Sequence, residues 1–108
     1  MPDINDLPRN DHLSTIIESI TVTAEAEIRN YIQGRKSDVQ RGAETPELAA
    51  MLIEKYAAGF AAALRIAGIK NNIIGIADQA CQTIDPQFKE HRQARWAARP
   101  AALTYHQA

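Results

Sequence analysis

The chain has 108 residues, of which 45% are hydrophobic and 23% are charged, and its net charge is −1. These values are typical of one globular domain, and they exclude a disordered chain and a chain whose overall charge attracts nucleic acid. The single cysteine, Cys81, excludes an intrachain disulfide. The first nine residues lack the apolar run of a signal peptide, and the uncharged stretch Tyr56–Leu64 is too short to span a bilayer. We therefore expect a cytoplasmic protein with no membrane partner.

The first predicted helix follows an extended lead-in over residues 1–10, where two prolines disfavour helix. It is predicted to begin at the capping residues Asn10 or Asp11 and to end near Gly34. The alternation of apolar and polar residues over 20–28 also suits a strand, but a longer apolar stripe favours the helix. The stripe covers an arc of about 120° and comprises Leu13, Ile16, Ile17, Ile20, Ala24, Ile28 and Tyr31.

The second predicted helix follows a polar loop over residues 35–44. Thr45 is a good N-cap, Pro46 suits the first helical position, and the helix is predicted to run to Ala67 and stop at Gly68. Its apolar residues occupy well over half of its circumference, so it is either central in the domain or shared between two chains.

One side of this second helix carries small residues that would let another backbone approach closely. We therefore expect the chain to form a homodimer, which a two-fold axis would build by placing this side against itself. The residues expected to mediate self-association are Ala58, Gly59 and Ala62.

A third helix is predicted to be capped by Asn71 or Asn72, and its glycine, Gly75, suggests a close contact. The pair Asp85-Pro86 predicts the start of a fourth helix, which ends before proline 100, and residues 100–108 are expected to form a loose tail. The expected fold is therefore all-α: one domain over residues 1–108, built as a small four-helix, mostly antiparallel bundle.

The fourth predicted helix carries the most distinctive surface. Basic and aromatic residues share one arc of about 120°, which suits binding to an acidic protein surface or to phosphates. The alternative is that the aromatic rings pack inward while the arginine stems lie along the edge of the core. The residues expected to bind a partner are Phe88, Lys89, Arg92, Arg95, Trp96 and Arg99.

No residue pattern predicts a catalytic, cofactor-binding or metal-binding site. Cys81 lies on the apolar stripe of the third helix, where a free cysteine usually packs as a small hydrophobic side chain. The three histidines, at positions 12, 91 and 106, share no ligand spacing.

The predicted function is therefore that of a non-enzymatic interaction protein that binds another protein, as small regulators, adaptors and inhibitors carried by phages or mobile elements do. The alternative is a small nucleic-acid-binding regulator that uses the fourth helix. A helical enzyme or ligand carrier, whose site forms only on assembly, is a third possibility.

Overall fold

A computed structural model describes residues 3–107 of the chain and the side chains of residues 12–98. This part of the chain forms four helices and contains no strand, which confirms the all-α prediction. The contacts between the helices fit a bundle. The helices are α1 (Asp3–Gln40), α2 (Pro46–Ile66), α3 (Ile73–Ile84) and α4 (Phe88–Gln107).

Helix α1 is longer at both ends than the sequence predicted. It begins at Asp3, so residues 3–10 are helical rather than extended. A proline has a φ that suits a helix, and it removes only one hydrogen bond.

The other end of α1 passes through Gly34 and stops at Gln40, so most of the predicted loop 35–44 is helical. Ion pairs explain the extra turns: Arg35 donates to Asp38 at 2.7 Å and to Glu44 at 2.9 Å. These pairs tie the last turns of α1 to the start of the connection, and they offset the roughly 1 kcal/mol that a glycine costs inside a helix.

The actual stop signal of α1 is Gly42, whose φ is +76°. Its N–H donates to the carbonyl of Val39, and the N–H of Ala43 donates to that of Asp38. This is the Schellman pattern, which needs a left-handed residue that glycine adopts without strain.

The predicted bounds of α2 are confirmed. The Thr45 side chain accepts a hydrogen bond from the N–H of Leu48 at 3.2 Å, and Pro46 occupies the first helical position. Gly68, with a φ of +78°, ends the helix in a second Schellman pattern, in which the N–H of Ile69 donates to the carbonyl of Leu64.

Helices α2 and α3 form the centre of the fold, because each of them contacts the other three helices. Between the described parts of α1 and α4 there is no contact. Most of the apolar circumference of α2 is therefore covered within one chain, which is the first of the two arrangements that the sequence allowed. The buried core consists of Ala24, Ile28, Ile32, Ala50, Ile53, Ala57, Ala61, Leu64, Ile73, Ala77, Cys81 and Phe88.

Asn72 occupies the N-cap position of α3 but makes no capping hydrogen bond with its side chain, whereas the side-chain oxygen of Asn71 accepts from the N–H of Ile73 at 3.0 Å. The buried residues Ile73, Ala77 and Cys81 belong to the predicted stripe. A Cβ at Gly75 would lie 2.5 Å from the side-chain oxygen of Asn72, so the glycine leaves room for the capping residue. Helix α4 begins two residues after Pro86, with Asp85 accepting a hydrogen bond from the N–H of Gln87.

Helix α4 does not stop before Pro100, as the sequence predicted, but continues to Gln107. Alanines on both sides of the proline are the strongest helix formers, and a proline within a helix leaves the φ of the backbone in the helical range. Residues 100–107 are therefore helical rather than a tail without secondary structure; their side chains, and residue 108, lie outside the described part.

The molecule is long and thin, measuring 60 × 44 × 17 Å, with a radius of gyration of 18.8 Å. A compact domain of this length has a radius of gyration of about 13 Å. Its solvent-accessible surface is 7790 Å², whereas a compact monomer of 11.9 kDa exposes about 5,950 Å². The chain therefore leaves much more surface uncovered than a closed bundle would.

Candidate interaction surfaces

Among the residues whose side chains the structure describes, the largest group of exposed apolar side chains lies on the N-terminal half of α1. Four aliphatic side chains of the predicted stripe remain in solvent: Leu13 is 51% exposed, Ile16 40%, Ile17 48% and Ile20 40%. Further along the same face, Ala24 and Ile28 are buried against the rest of the molecule. The first half of this continuous apolar stripe is therefore exposed to solvent, and its second half is buried. We refer to Leu13, Ile16, Ile17 and Ile20 as the α1 stripe.

A shallow groove adjoins the α1 stripe where α1 meets the end of α2. It has a volume of 320 Å³. Phe60 and Leu64 of α2 form one wall, and residues of α1 between Ser19 and Glu27 form the other. The groove is mostly apolar, and Ile20 belongs both to the groove and to the stripe. We call it the α1–α2 groove.

The sequence identified the α1 stripe as part of the apolar face of the first helix, but it did not indicate that this part would be exposed. The observed lengths explain the exposure, since α1 has 38 residues, whereas α2 has 21 and α3 has 12.

The arginines of α4 form an ion-pair network within the chain. The Nε of Arg92 donates to Glu54 of α2 at 2.6 Å, and its Nη2 donates to Asp78 of α3 at 2.6 Å. Arg95 donates to the other carboxylate oxygen of Glu54 at 3.1 Å. Two positive and two negative charges therefore cancel, and together they hold α4 against both helices. We call these four residues the Arg92 network.

The aromatic residues of α4 divide between core and surface. Phe88 is fully buried, and the guanidinium of Arg92 lies 4.4 Å from the centre of its ring. Trp96 is 55% exposed, and Arg92 lies 5.6 Å from its ring centre. The guanidinium of Arg92 thus lies over the ring of the buried Phe88. Of the inward packing that the alternative interpretation expected, the structure shows that of Phe88 but not that of Trp96.

The six partner-binding residues expected on α4 therefore do not form one free surface. Phe88 belongs to the core, and Arg92 and Arg95 are paired within the chain. Lys89 and Trp96 are exposed. The side chain of Arg99 lies outside the described residues.

The three residues expected to mediate self-association lie on the side of α2 away from its core. Ala58 and Gly59 are exposed and Ala62 is half-buried, whereas their neighbours Ala57 and Ala61 are buried in the core. A Cβ at Gly59 would meet no atom within 4 Å. The exposed patch of small residues on α2 therefore contains fewer residues than the sequence suggested, because Ala57 and Ala61 are part of the core.

A second groove runs between α2, α3 and α4 and has a volume of 520 Å³. Its lining includes Ala58, Ile74 and Trp96, together with all four members of the Arg92 network. The four charges of the network are paired with each other, and Lys55 adds one more positive charge to the lining, so the groove offers a ligand apolar contact and one positive charge outside the network.

Cys81 lies in the core, as the sequence predicted. Its Sγ donates to the carbonyl of Ala50 at 3.2 Å. Burial raises the pKa of the thiol to about 12, and the nearby carboxylates of Glu54 and Asp78 add to this shift. A thiol with this pKa is almost wholly protonated at neutral pH, which makes it a poor nucleophile.

One histidine is held at the junction of α3 and α4. The Nδ1 of His91 lies 2.7 Å from a carboxylate oxygen of Asp85, which is itself buried. The hydrogen bond to Asp85 raises the pKa of His91. Among the residues that the structure describes, no three His, Cys, Asp or Glu side chains are placed to hold a metal ion.

No known protein family, curated protein or solved structure matches this chain. Nor does the described part include a helix with the length and apolar character needed to cross a membrane.

Proposed function

We propose that this chain is a non-enzymatic interaction protein that acts by binding another protein, and that the α1 stripe is its contact surface. The observation that carries the proposal is the exposure of four large aliphatic side chains on one face of a helix. Single exposed apolar side chains are common on monomeric proteins, but a contiguous row of them is typical of an interaction site. Amphipathic helices bind proteins through residues with this spacing.

The proposal includes an antiparallel packing of α1 and α2, as in the predicted bundle. Two contacts support it. Arg35 near the end of α1 pairs with Glu44 just before α2, and the rings of Tyr31 and Tyr56 stack with their centres 4.0 Å apart. In this arrangement the first turns of α1 extend beyond the last turn of α2. The α1 stripe then projects from the bundle as an arm that a partner can reach from several sides.

A nucleic-acid-binding function through α4 has less support. Such a surface depends on positive charge that is free to contact phosphates. In the Arg92 network, Glu54 and Asp78 already offset both arginines.

The test is affinity capture of the full chain from cells that express it, with and without nuclease treatment. Three versions of the chain are compared: the wild type, a variant carrying Ile16→Lys and Ile20→Lys, and a control carrying Val22→Lys. Val22 is 64% exposed on the same helix. It lies on the opposite side of the helix, because at about 100° per residue Val22 is between about 120° and 180° away from every residue of the α1 stripe.

We expect the wild type and the Val22→Lys control to retain the same protein, a second copy of the chain included, after nuclease treatment. The double variant should lose it, because two charged side chains at the centre of an apolar contact stay unpaired. Retention by the double variant would contradict the assignment of the surface. Loss of all partners on nuclease treatment would instead favour the nucleic-acid alternative.

A further inference from the structure

We infer that the partner of the α1 stripe is a second copy of this chain, joined by a two-fold axis that crosses α1 between Ile17 and Ile20. This inference rests on the proposed function, because it names the partner of the same surface. It moves the expected homodimer contact from the small residues of α2 to the first half of α1.

The first argument is that one chain carries both halves of the contact. The α1 stripe supplies projecting side chains, and the α1–α2 groove next to it supplies a place to seat them. Leu13 and Ala24 lie at equal distances from the proposed axis along α1, on either side of it, and so do Ile17 and Ile20. A second copy therefore places its Leu13 and Ile17 against the groove of the first copy, and receives the same side chains in return.

The second argument concerns charge. A two-fold contact between antiparallel helices brings the same rim residues of both copies together, so a charged rim would produce repulsion. Between residues 13 and 24 the only charged residue is Glu18, and it lies on the far side of the helix from the stripe. Glu27, which also lines the groove, interacts there with the hydroxyl of Tyr56. The residues beside the stripe carry hydroxyl groups: Ser14, Ser19, Thr21 and Thr23.

The third argument concerns area. The chain exposes 7790 Å², about 1,800 Å² more than a compact monomer of its mass. A stable two-chain interface buries about 800 Å² on each partner. The excess surface of the whole chain is more than twice that area, and the α1 stripe holds four of the nine large hydrophobic side chains that are exposed among the described residues.

The test is the mass of the purified full chain in solution at micromolar concentration, measured by light scattering or sedimentation. We expect the wild type to have twice the 11.9 kDa of one chain. The double variant Ile16→Lys, Ile20→Lys should have the mass of one chain, and the Val22→Lys control should remain a dimer. Because Ile16 and Ile20 are exposed, helical content measured by circular dichroism should be unchanged.

A second measurement removes any dependence on the folding of the double variant. Ile17→Cys places a thiol close to the axis, opposite Ile20 of the other copy, so that its counterpart lies within reach of a short bifunctional thiol reagent, which should yield a covalent dimer. The control, Val22→Cys, places a thiol at a more exposed position (64% against 48%) on the opposite face and should yield little. The native Cys81 is buried and does not interfere.

Three other outcomes would contradict the inference, and each can be distinguished from the others. A dimer that is split by Ala58→Glu but not by the double variant would place the contact on α2. A monomeric wild type that still captures another protein through the α1 stripe would overturn the inference and leave the proposed function standing. A monomeric wild type whose captured proteins do not depend on the stripe would overturn both.

Discussion

Arg92 of α4 donates from its Nε to a carboxylate oxygen of Glu54 in α2, at 2.6 Å and across 38 positions of sequence. This contact matters because α4 touches the rest of the chain over a small area, and only through α2 and α3. Phe88 anchors the first turn of α4 in the core, and the Arg92 network holds the next two turns. The attachment of α4 therefore depends on a few identifiable groups.

We predict that Glu54→Gln loosens α4 and lowers the free energy of unfolding by about 1–2 kcal/mol, because two arginines lose their shared charged acceptor. The effect is smaller than for a fully buried pair, since these side chains are about one quarter exposed. Urea unfolding followed by the fluorescence of Trp96, the only tryptophan, measures it. Lys55→Gln, at the exposed neighbouring position, is the control and should change the stability by less than about 0.5 kcal/mol.

We predict that Cys81 does not react with a disulfide reagent at pH 8 while the chain is folded. The rise of the thiol pKa from 9.0 to about 12 lowers the thiolate fraction by about 1,000-fold, and burial adds a steric barrier. Unfolding in urea should restore an ordinary rate. A variant with Val22→Cys, at a 64% exposed position of α1 outside the proposed contact, provides an accessible thiol for comparison. Comparable rates at Cys81 and at the new cysteine would contradict the placement of Cys81 in the core.

We predict that His91 stabilises the folded chain more at low pH than at high pH. Its pKa is raised, chiefly by the hydrogen bond to Asp85, with Glu47 adding to the shift and Arg95 opposing it. The stabilisation is therefore complete below the ordinary histidine pKa of about 6.5, and it is lost as the pH rises through the raised value.

The measurement is the difference in unfolding temperature between the wild type and His91→Gln across this pH range. We expect a positive difference at about pH 5.5 that shrinks by about pH 8.5. A difference that stays constant with pH would show that His91 contributes packing alone.

We predict opposite effects for two glycine substitutions. Gly59→Ala should raise the free energy of unfolding by about 0.5–1 kcal/mol, because the position is helical and open. Gly68→Ala should lower it by about 1 kcal/mol, since φ is +78° there and an L side chain strains the cap. Chemical unfolding measures both. If Gly59→Ala also lowered the molecular mass in solution, the contact between copies would lie on α2.

Several features of the fold followed from the sequence because they depend on neighbouring residues only. The 3.6-residue periodicity determined that the chain is helical, and the Thr45-Pro46 pair and Gly68 determined the ends of α2. The stripe on α3 similarly placed Cys81 in the core. The predicted ends of α1 were wrong. At the C-terminal end, Gly34 is a weak stop signal, and the helix is extended by the pairing of Arg35 with Glu44, which joins residues nine positions apart.

The tertiary structure alone decided which surfaces remain free. A periodic stripe shows which side of a helix is apolar, but whether that side is covered depends on the lengths and positions of the helices packed against it. Thus the same stripe of α1 buries Ile28 and exposes Ile17. Likewise, nothing near Arg92 in the sequence indicates that its charge is offset, because Glu54 and Asp78 reach it only when α2, α3 and α4 pack together.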